Sequence, residues 1–499
     1  FFFFFFFFFF FFFFFFFHST KQSDLSLMKN SGMTPTERRA AVSLAGIFST
    51  RMLGLFMILP VFALYTEHLE GATPFLIGLA IGIYGLTQAI LQIPFGMLSD
   101  RIGRKPVIYG GLLIFALGSV VAAMSDSITG IILGRALQGG GAIAAAVMAL
   151  AADLTREEHR LKAMAIMGMS MGVSFSISLI LGPLFDSWFG VHGLFWMTAM
   201  LALVAMAILA LAVPTPTVSR FHRDAEPVPA QFKNVLGDSQ LLRLDFGIFV
   251  LHLILTAIFV AVPLDLQNKA GLASEHHWMV YLFVMLLSFA GMVPFIIIAE
   301  KRRKMKQIFV GAIALLIVAV LSMSQVSTSL VGMVAALLGF FLAFNLLEAS
   351  LPSLVAKIAP ADMKGTAMGV YTSSQFLGAF TGGVAGGWIY QHVSAEGVFI
   401  FCGFMASLWV ILASTMKAPR HLGSYMIHVG PVSRAQAVEL SGEIATVVGV
   451  VEVVVIPEDE VAYLKVDNQR LDQDALARFS VADPDAQDGH PSAPVTANS

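Results

Sequence analysis

Long apolar runs alternate with short polar segments along most of the chain, from residue 41 to residue 416. A helix needs roughly 20 apolar residues to cross the hydrocarbon core of a bilayer. The pattern therefore predicts twelve membrane-spanning helices, numbered here as spans 1 to 12: 41–65, 75–98, 106–124, 128–152, 162–184, 191–213, 244–266, 277–299, 306–323, 329–354, 364–390 and 397–416. The expected fold class is an all-α membrane protein with an additional small domain.

The pattern changes after Pro419. Residues 425–429, 450–456 and 461–466 favour strands, whereas 433–447 and 471–479 favour helices. This βαββα order predicts a small α+β ferredoxin-like domain at 423–480, followed by a disordered tail at 481–499.

Residues 1–32 begin with seventeen phenylalanines. This run lacks both the basic start and the small-residue cleavage site of a secretory signal. We interpret residues 1–32 as an artefactual or disordered leader.

An internal repeat divides the predicted membrane part in two. Residues 93–105 align with residues 293–305, so that Pro94 meets Pro294, Asp100 meets Glu300 and Arg104 meets Lys304. Each segment lies at the end of the second span of its half. The chain is therefore interpreted as two six-helix halves, 41–213 and 244–416, joined by a linker at 214–241. Parallel halves with a site between them are a transporter architecture.

Charge adds an orientation to this picture. Only 12% of residues are charged, against about 25% in soluble domains. With the N-terminus inside, nineteen Lys and Arg residues lie in inside loops and one, Lys269, lies outside. The positive-inside rule then predicts that both termini are cytoplasmic.

The single cysteine, Cys402, excludes an intramolecular disulfide. A net charge of −2 gives no indication of nucleic acid, and no pattern indicates a cofactor, a metal or an enzyme.

Four ionisable residues within the spans are candidates for proton coupling: Glu348, Arg135, Arg51 and His252. Charged groups within a membrane are costly and indicate function by default. Glu348 is the preferred proton carrier, with Arg135 as its opposing charge. Structural ion pairs or snorkelling side chains remain the alternative. Polar residues that could line a central cavity, or could equally form interhelical hydrogen bonds, are Tyr84, Gln88, Gln92, Gln138, Asn345, Tyr371 and Gln375.

The segment Gly96–Lys105 resembles the loop signature of the major facilitator superfamily, Gly-x-Leu-x-Asp-Arg-x-Gly-Arg-Lys. Residues 135–141 resemble the Arg-x-x-Gln-Gly motif of the family's fourth helix. Residues 172–183 resemble its antiporter motif, but Leu184, Phe185 and Asp186 replace the paired glycines that should follow. The resemblance implies a transporter that works by alternating access.

The family's signature also implies a conformational latch. Asp100 would face the start of span 11 near Gly365 and Thr366, Arg104 would pair with Asp153, and Gly96 would let spans 2 and 11 approach closely. These contacts would close the cytoplasmic side and favour the outward-facing state. The alternative is a plain basic loop. The expected latch residues are Gly96, Asp100, Arg101, Gly103, Arg104, Asp153 and, in the second half, Glu300.

The function expected is proton-driven efflux of a small, drug-like or amphipathic compound across a bacterial inner membrane. Its partners would be that compound, protons and the lipid bilayer, with self-association through the C-terminal domain as a further expectation. Two alternatives remain open. One is a facilitator or importer of the same fold, and the other is a membrane sensor that signals through the C-terminal domain.

Overall fold

The computed structural model describes residues 33–215, 228–417, 423–457, 460–467 and 470–481. The leader at 1–32, the middle of the linker and the tail beyond residue 481 lie outside these ranges. Ten helical segments in the described part are long and apolar enough to cross a membrane.

The helices follow the predicted order, and most predicted spans correspond to one continuous helix. Span 1 is Pro35–Phe56 with a short continuation at Leu59–Phe62, and span 4 is interrupted between Ile128–Gly140 and Ala144–Asp153. Eight spans are uninterrupted helices within the described residues: span 2, Pro74–Ile102; span 3, Arg104–Ala123; span 7, Ser239–Asn268; span 8, His277–Lys301; span 9, Met305–Val326; span 10, Leu330–Ile358; span 11, Lys364–His392; and span 12, Ala395–Ser414.

Two features explain why ten segments correspond to twelve predicted spans. Spans 5 and 6 lie within one continuous segment, Glu157–Leu211, which breaks at Gly190 with φ 64° and ψ 179°. That backbone conformation is essentially restricted to glycine. Span 11 is absent from the ten because seven glycines make it much less apolar than its neighbours. The predicted twelve-span fold is therefore confirmed.

Several spans begin at a side chain that caps the helix. Thr34 and Glu37 form a capping box, so span 1 begins at Pro35, six residues before its predicted start. Asp238 accepts hydrogen bonds from the next turn, so span 7 begins at Ser239 and the linker ends earlier than predicted. A short helix, Phe232–Gly237, also lies in the predicted linker. Polar caps extend helices beyond their apolar runs, which is why hydropathy alone placed these starts too late.

The two halves repeat a structural contact as well as a sequence pattern. At the start of span 3, Lys105 Nζ donates to Val213 O at the end of span 6, at 2.8 Å. At the start of span 9, Lys306 Nζ donates to Ser414 O at the end of span 12, at 2.9 Å. A cation at a helix C-terminus binds carbonyls that lack partners within the helix. The same capping contact thus fixes the ends of both halves.

In the described part of the chain, the hydrophobic cores of the two halves merge at one end of the bundle. We call the end that holds Pro35 and Ser414 the terminal end, and the end that holds Gly190 and Asn268 the distal end. One hydrophobic core contains both halves, and its first-half members come from distal segments: Met57–Ala63, Ile77–Ile81, Ala122–Ile131 and Phe175–Phe195. The first half's terminal segments form a separate core, with Phe376 of span 11 packed against it. The bundle is therefore closed at the distal end and open at the terminal end.

Glycines on two faces of span 11 carry much of this packing. Gly378, Gly382 and Gly386 face span 7 so closely that a Cβ at any of them would collide with its backbone. This confirms that their four-residue spacing serves close helix packing. On another face, Gly383 meets Gly78 of span 2 in the same way. Span 11 thus packs closely against a helix of each half.

The C-terminal domain has the predicted order of elements. It consists of β1 (Gly423–His428), a helix at Arg434–Ala445, β2 (Val450–Ile456), β3 (Val461–Val466) and a short helix at Gln473–Ala477. The three strands form an antiparallel sheet in the order β1-β3-β2. Helix Arg434–Ala445 lies against β2, and the central strand is β3.

Candidate functional site

The signature loop is held by a buried ion pair. Arg104 Nε lies 3.3 Å from Asp153 Oδ2, and both side chains are almost completely buried. Arg104 also donates to Ser99 Oγ at 2.9 Å and pairs with Asp100 one turn before it. Gly103, with φ 98°, makes the turn between spans 2 and 3. The expected contact between Arg104 and Asp153 is therefore present, and it lies within the first half.

The expected contact between Asp100 and the start of span 11 is not made in the described structure. Asp100 pairs with Arg104, and Thr366 is bonded to the linker instead. Thr366 Oγ1 donates to Gln231 Oε1 at 2.9 Å and accepts from the amide of Val228 at 2.8 Å. An open terminal end accounts for this difference, because the latch was expected to join the halves when that end is closed. Arg101 is exposed, and the side chain of Glu300 lies outside the described residues.

The expected close approach of spans 2 and 11 at Gly96 is likewise not made in this terminal-open structure. A Cβ at Gly96 would lie 2.9 Å from the Ala145 side chain in span 4, and span 11 is not within its reach. Spans 2 and 11 do approach closely, but nearer the distal end. A Cβ at Gly82 would lie 2.7 Å from Phe380 O, and Gly85 faces Phe376 in the same way.

Two buried arginines surround one tyrosine in the first half. Arg51 Nη2 donates to Gln88 Oε1 at 2.6 Å, and its guanidinium lies 6.0 Å from the Tyr84 ring. Arg135 lies 5.1 Å from the same ring and donates to Gln138 Oε1 at 2.9 Å and to the Ala80 carbonyl at 3.2 Å. Cation–π contacts of this kind are strengthened by desolvation. The residues form one positively charged network within their own half.

The carboxylate of Glu348 belongs to a different network, in the second half. Gln375 Nε2 donates to Glu348 Oε1 at 3.3 Å and lies 2.8 Å from His252 Nε2. His252 Nε2 is 4.0 Å from the other oxygen, Glu348 Oε2, which has no hydrogen-bond partner in the described structure. The Glu348 side chain is 34% exposed although its partners lie inside the bundle. Its Oε2 atom is itself buried, so the exposed part of the side chain is not this oxygen.

Arg135 and Glu348, predicted as opposing charges, are not paired in this structure. Each is bonded within its own half, and spans 4 and 10 belong to different halves. The structure instead brings Glu348 together with His252 and Gln375. Arg51 and Arg135 share Tyr84, and the Tyr84 ring lies 6.2 Å from Phe376, the neighbour of Gln375. The two networks thus approach each other where spans 2 and 11 meet.

The cavity candidates are mostly buried by packing. Tyr84, Gln88, Gln92, Gln138 and Tyr371 are all nearly inaccessible. Gln138 donates to Ser119 Oγ, and Asn345 donates to Ser288 Oγ in span 8, at 3.0 Å. Interhelical hydrogen bonding therefore describes Gln138 and Asn345 better than cavity lining. Gln375 is half-buried beside Glu348 and fits the cavity expectation.

Aromatic rings from both halves close the space on the distal side of Glu348. Phe175 of span 5 packs against Phe56 of span 1 and, across the halves, against Phe344 of span 10, with ring centroids 4.9 and 5.6 Å apart. Phe344 in turn lies 5.9 Å from His252. These rings therefore lie on the distal side of the carboxylate.

Sequence reasoning missed two residues of this region, Asp245 and Gln231. Asp245 and Tyr371 are buried, and each has an oxygen without a hydrogen-bond partner in the described structure. Tyr371 lies within electrostatic range of both Glu348 and Asp245. Asp245 carried a signal, an acid within an apolar run on the face of His252. Gln231, which binds Thr366, carried none, because a polar residue in a linker is ordinary.

Comparison with known proteins agrees with this architecture. The Major Facilitator Superfamily profile matches residues 44–383. The inner membrane transport protein YajR of Escherichia coli (strain K12) is 50% identical over 442 residues, which cover 89% of this chain and 97% of that protein. Multidrug resistance protein MdtH of Aeromonas salmonicida (strain A449) is 26% identical over 351 residues, covering 69% and 86%. The crystal structure of a bacterial homolog of the human lysosomal transporter Spinster, inward-facing and occupied, has a TM-score of 0.60 at 14% identity and covers 77% of this chain and 96% of that chain.

Proposed function

Because the chain belongs to the major facilitator superfamily, and is thus a membrane transporter rather than an enzyme, we propose that it exports a small amphipathic compound in exchange for protons. Alternating access of the two halves would carry the compound across. The single observation that supports proton exchange is the Glu348 carboxyl within span 10, whose buried Oε2 has no hydrogen-bond partner in the described structure and lies 4.0 Å from His252 Nε2. Acidic residues within membrane spans commonly belong to proton relays.

We further propose that the terminal end is cytoplasmic, in a bacterial inner membrane. The basic residues of the loops concentrate at this end, and the YajR relative is named for the inner membrane. The structure then corresponds to the inward-facing state. This assignment explains why Asp100 is separate from span 11, because the latch would form only after the cytoplasmic side closes.

The amphipathic character of the compound follows from the surroundings of Glu348. The carboxylate, His252 and Gln375 supply polar contacts, while Phe344 and Phe175 supply an apolar wall. Ligand sites combine a few polar groups with mostly apolar and aromatic walls in this way. The multidrug resistance protein among the relatives supports export rather than import.

The test begins with a thermal-stabilisation screen that identifies a ligand for the purified protein. Counterflow of that ligand, labelled, in proteoliposomes then measures carrier activity, and an imposed pH gradient measures coupling. We expect both activities in the unsubstituted protein. Glu348→Gln should retain counterflow but lose gradient-driven accumulation. Glu275→Gln, at an exposed distal carboxylate, is the matched control and should behave like the unsubstituted protein.

Other results would favour the rival functions. Counterflow without any response to the pH gradient would identify a facilitator. Stabilisation by a ligand without counterflow would favour a membrane sensor. Gradient-driven accumulation that survives Glu348→Gln unchanged would rule out Glu348 as the proton carrier.

A further inference from the structure

The central strand of the C-terminal sheet is buried on both faces. All six residues of β3 are buried. Ala462, Leu464 and Val466 belong to the core that the domain's own helices cover, together with Ile444 and Leu476. Alternate residues of a strand point to opposite faces. Val461, Tyr463 and Lys465 therefore point to the second face, where Ile456 is also buried.

The membrane part of the chain covers this second face. Strands β2 and β3 contact the turn Ala361–Met363, which connects spans 10 and 11. Lys465 is only 5% exposed. Its ammonium donates to the carbonyls of Lys357 and Ile358, both at 3.3 Å, and lies 3.5 Å from Glu452 Oε2. The three acceptors match the three donors of a lysine ammonium.

The chemistry of this contact makes it specific. Lys357 and Ile358 are the last two residues of span 10, and the final carbonyls of a helix have no partner within it. The C-terminal end of a helix also carries partial negative charge, which attracts a cation. A buried ammonium is costly unless its hydrogen bonds are satisfied. Lys465 therefore binds well only when the domain lies against the end of span 10.

The contact lies on the helix that carries Glu348. The next helix, span 11, carries Gln375, which donates to that carboxylate. The connection between the two helices is also held from the linker, because Gln231 donates to Asp362 O at 3.2 Å and accepts from Thr366. The C-terminal domain and the linker thus bind the same short connection in the terminal-open state.

We propose that the second face of the C-terminal sheet is a docking surface for the connection between spans 10 and 11, and that docking stabilises the terminal-open state. A contact made in one state and lost in another shifts the population toward the first. The domain would then act as a regulatory clamp, and undocking would favour closure of the terminal end. Self-association through this face would require the same undocking. The inference rests on alternating access but not on proton coupling.

The test uses the full chain in nanodiscs, with Cys402→Ser as the background. Spin labels at Ile102 and Arg302, both exposed at the terminal end, report the separation of the halves by double electron–electron resonance. Hydrogen–deuterium exchange of residues 355–363 reports docking. Lys465→Gln should increase exchange there at least threefold and should increase the terminal-closed fraction at least twofold. Lys465→Arg keeps the positive charge, so its exchange and its terminal-closed fraction should be close to those of the unsubstituted protein. Glu439→Gln, at an exposed helix position, should change neither quantity.

A second variant is needed in case the docked domain tolerates Lys465→Gln. Tyr463→Asp places a charge in the docking face and should also undock the domain. If exchange increases in either variant while the distance distribution stays unchanged, docking does not control the state and the proposal fails. If neither variant increases exchange at residues 355–363, the docking surface itself is wrong. Neither outcome depends on Glu348 or on a transported compound.

Discussion

At the scale of single residues, the signature loop combines two carboxylates with different surroundings. The Asp153 side chain is fully buried against Arg104, whereas the Asp100 side chain is 30% exposed and shares the same guanidinium. Removing one partner of a buried ion pair leaves an uncompensated charge, which costs far more than losing an exposed pair. The two acids should therefore have separable roles, one in stability and one in conformational change.

Substituting each acid tests this separation. Asp153→Asn should lower the free energy of unfolding by up to about 3 kcal/mol, since Arg104 stays buried and keeps only the partly exposed ion pair with Asp100, with little change in the terminal-closed fraction. Asp100→Asn should cost at most about 1 kcal/mol but should reduce the terminal-closed fraction, because the latch to span 11 is lost. Thermal denaturation and the distance between labels at Ile102 and Arg302 measure the two effects. Equal destabilisation by both variants would contradict the assignment.

At the scale of elements, the closed distal end depends on glycines that let spans 2 and 11 touch. Gly82 faces Phe380 O, and Gly78 faces the Gly383 backbone. Backbone atoms cannot move aside as a flexible side chain can, because each is fixed within its helix. The small residues therefore permit a packing that belongs to the terminal-open state, as small residues do at many membrane helix interfaces.

An added methyl group should shift this balance. Gly82→Ala places a Cβ 2.7 Å from Phe380 O and should open the distal end. The matched control is Gly110→Ala, because no atom lies within 4 Å of a Cβ there. Spin labels at Asp126 and Glu275, both exposed at the distal end, should report a longer distance for Gly82→Ala only. An unchanged distance would show that this contact does not hold the distal end closed.

The sequence predicted the helices well because apolar runs and caps are local features. It also predicted the pairing of Arg104 with Asp153, through the family resemblance. It could not predict which helix each polar side chain would meet. Arg135 and Glu348 have complementary charges, yet Arg135 donates to carbonyls of span 2 and Glu348 binds Gln375. Tertiary packing and the conformational state decide such contacts, and the spacing of residues along the chain predicts neither.

At the scale of the whole molecule, the two halves have opposite buried charge. The first half buries Arg51 and Arg135, whereas the second half buries Asp245 and carries Glu348, whose side chain is 34% exposed. Under the proposed mechanism, Glu348 would exchange protons with the open terminal end, because aromatic rings lie on its distal side. Closing the terminal end would bury Glu348 further, which is costly while the carboxylate is charged. Protonation should therefore make closure easier, which couples proton binding to alternating access.

The most direct test measures the distance between labels at Ile102 and Arg302 while the pH is varied between about 5 and 9, the range over which buried carboxyls titrate. In the unsubstituted protein, the terminal-closed fraction should increase as the pH falls. Glu348→Gln imitates the protonated acid, so its closed fraction should be high and independent of pH. Glu275→Gln should retain the normal response. A pH response in Glu348→Gln equal to that of the unsubstituted protein would contradict the claim that Glu348 couples protons to transport.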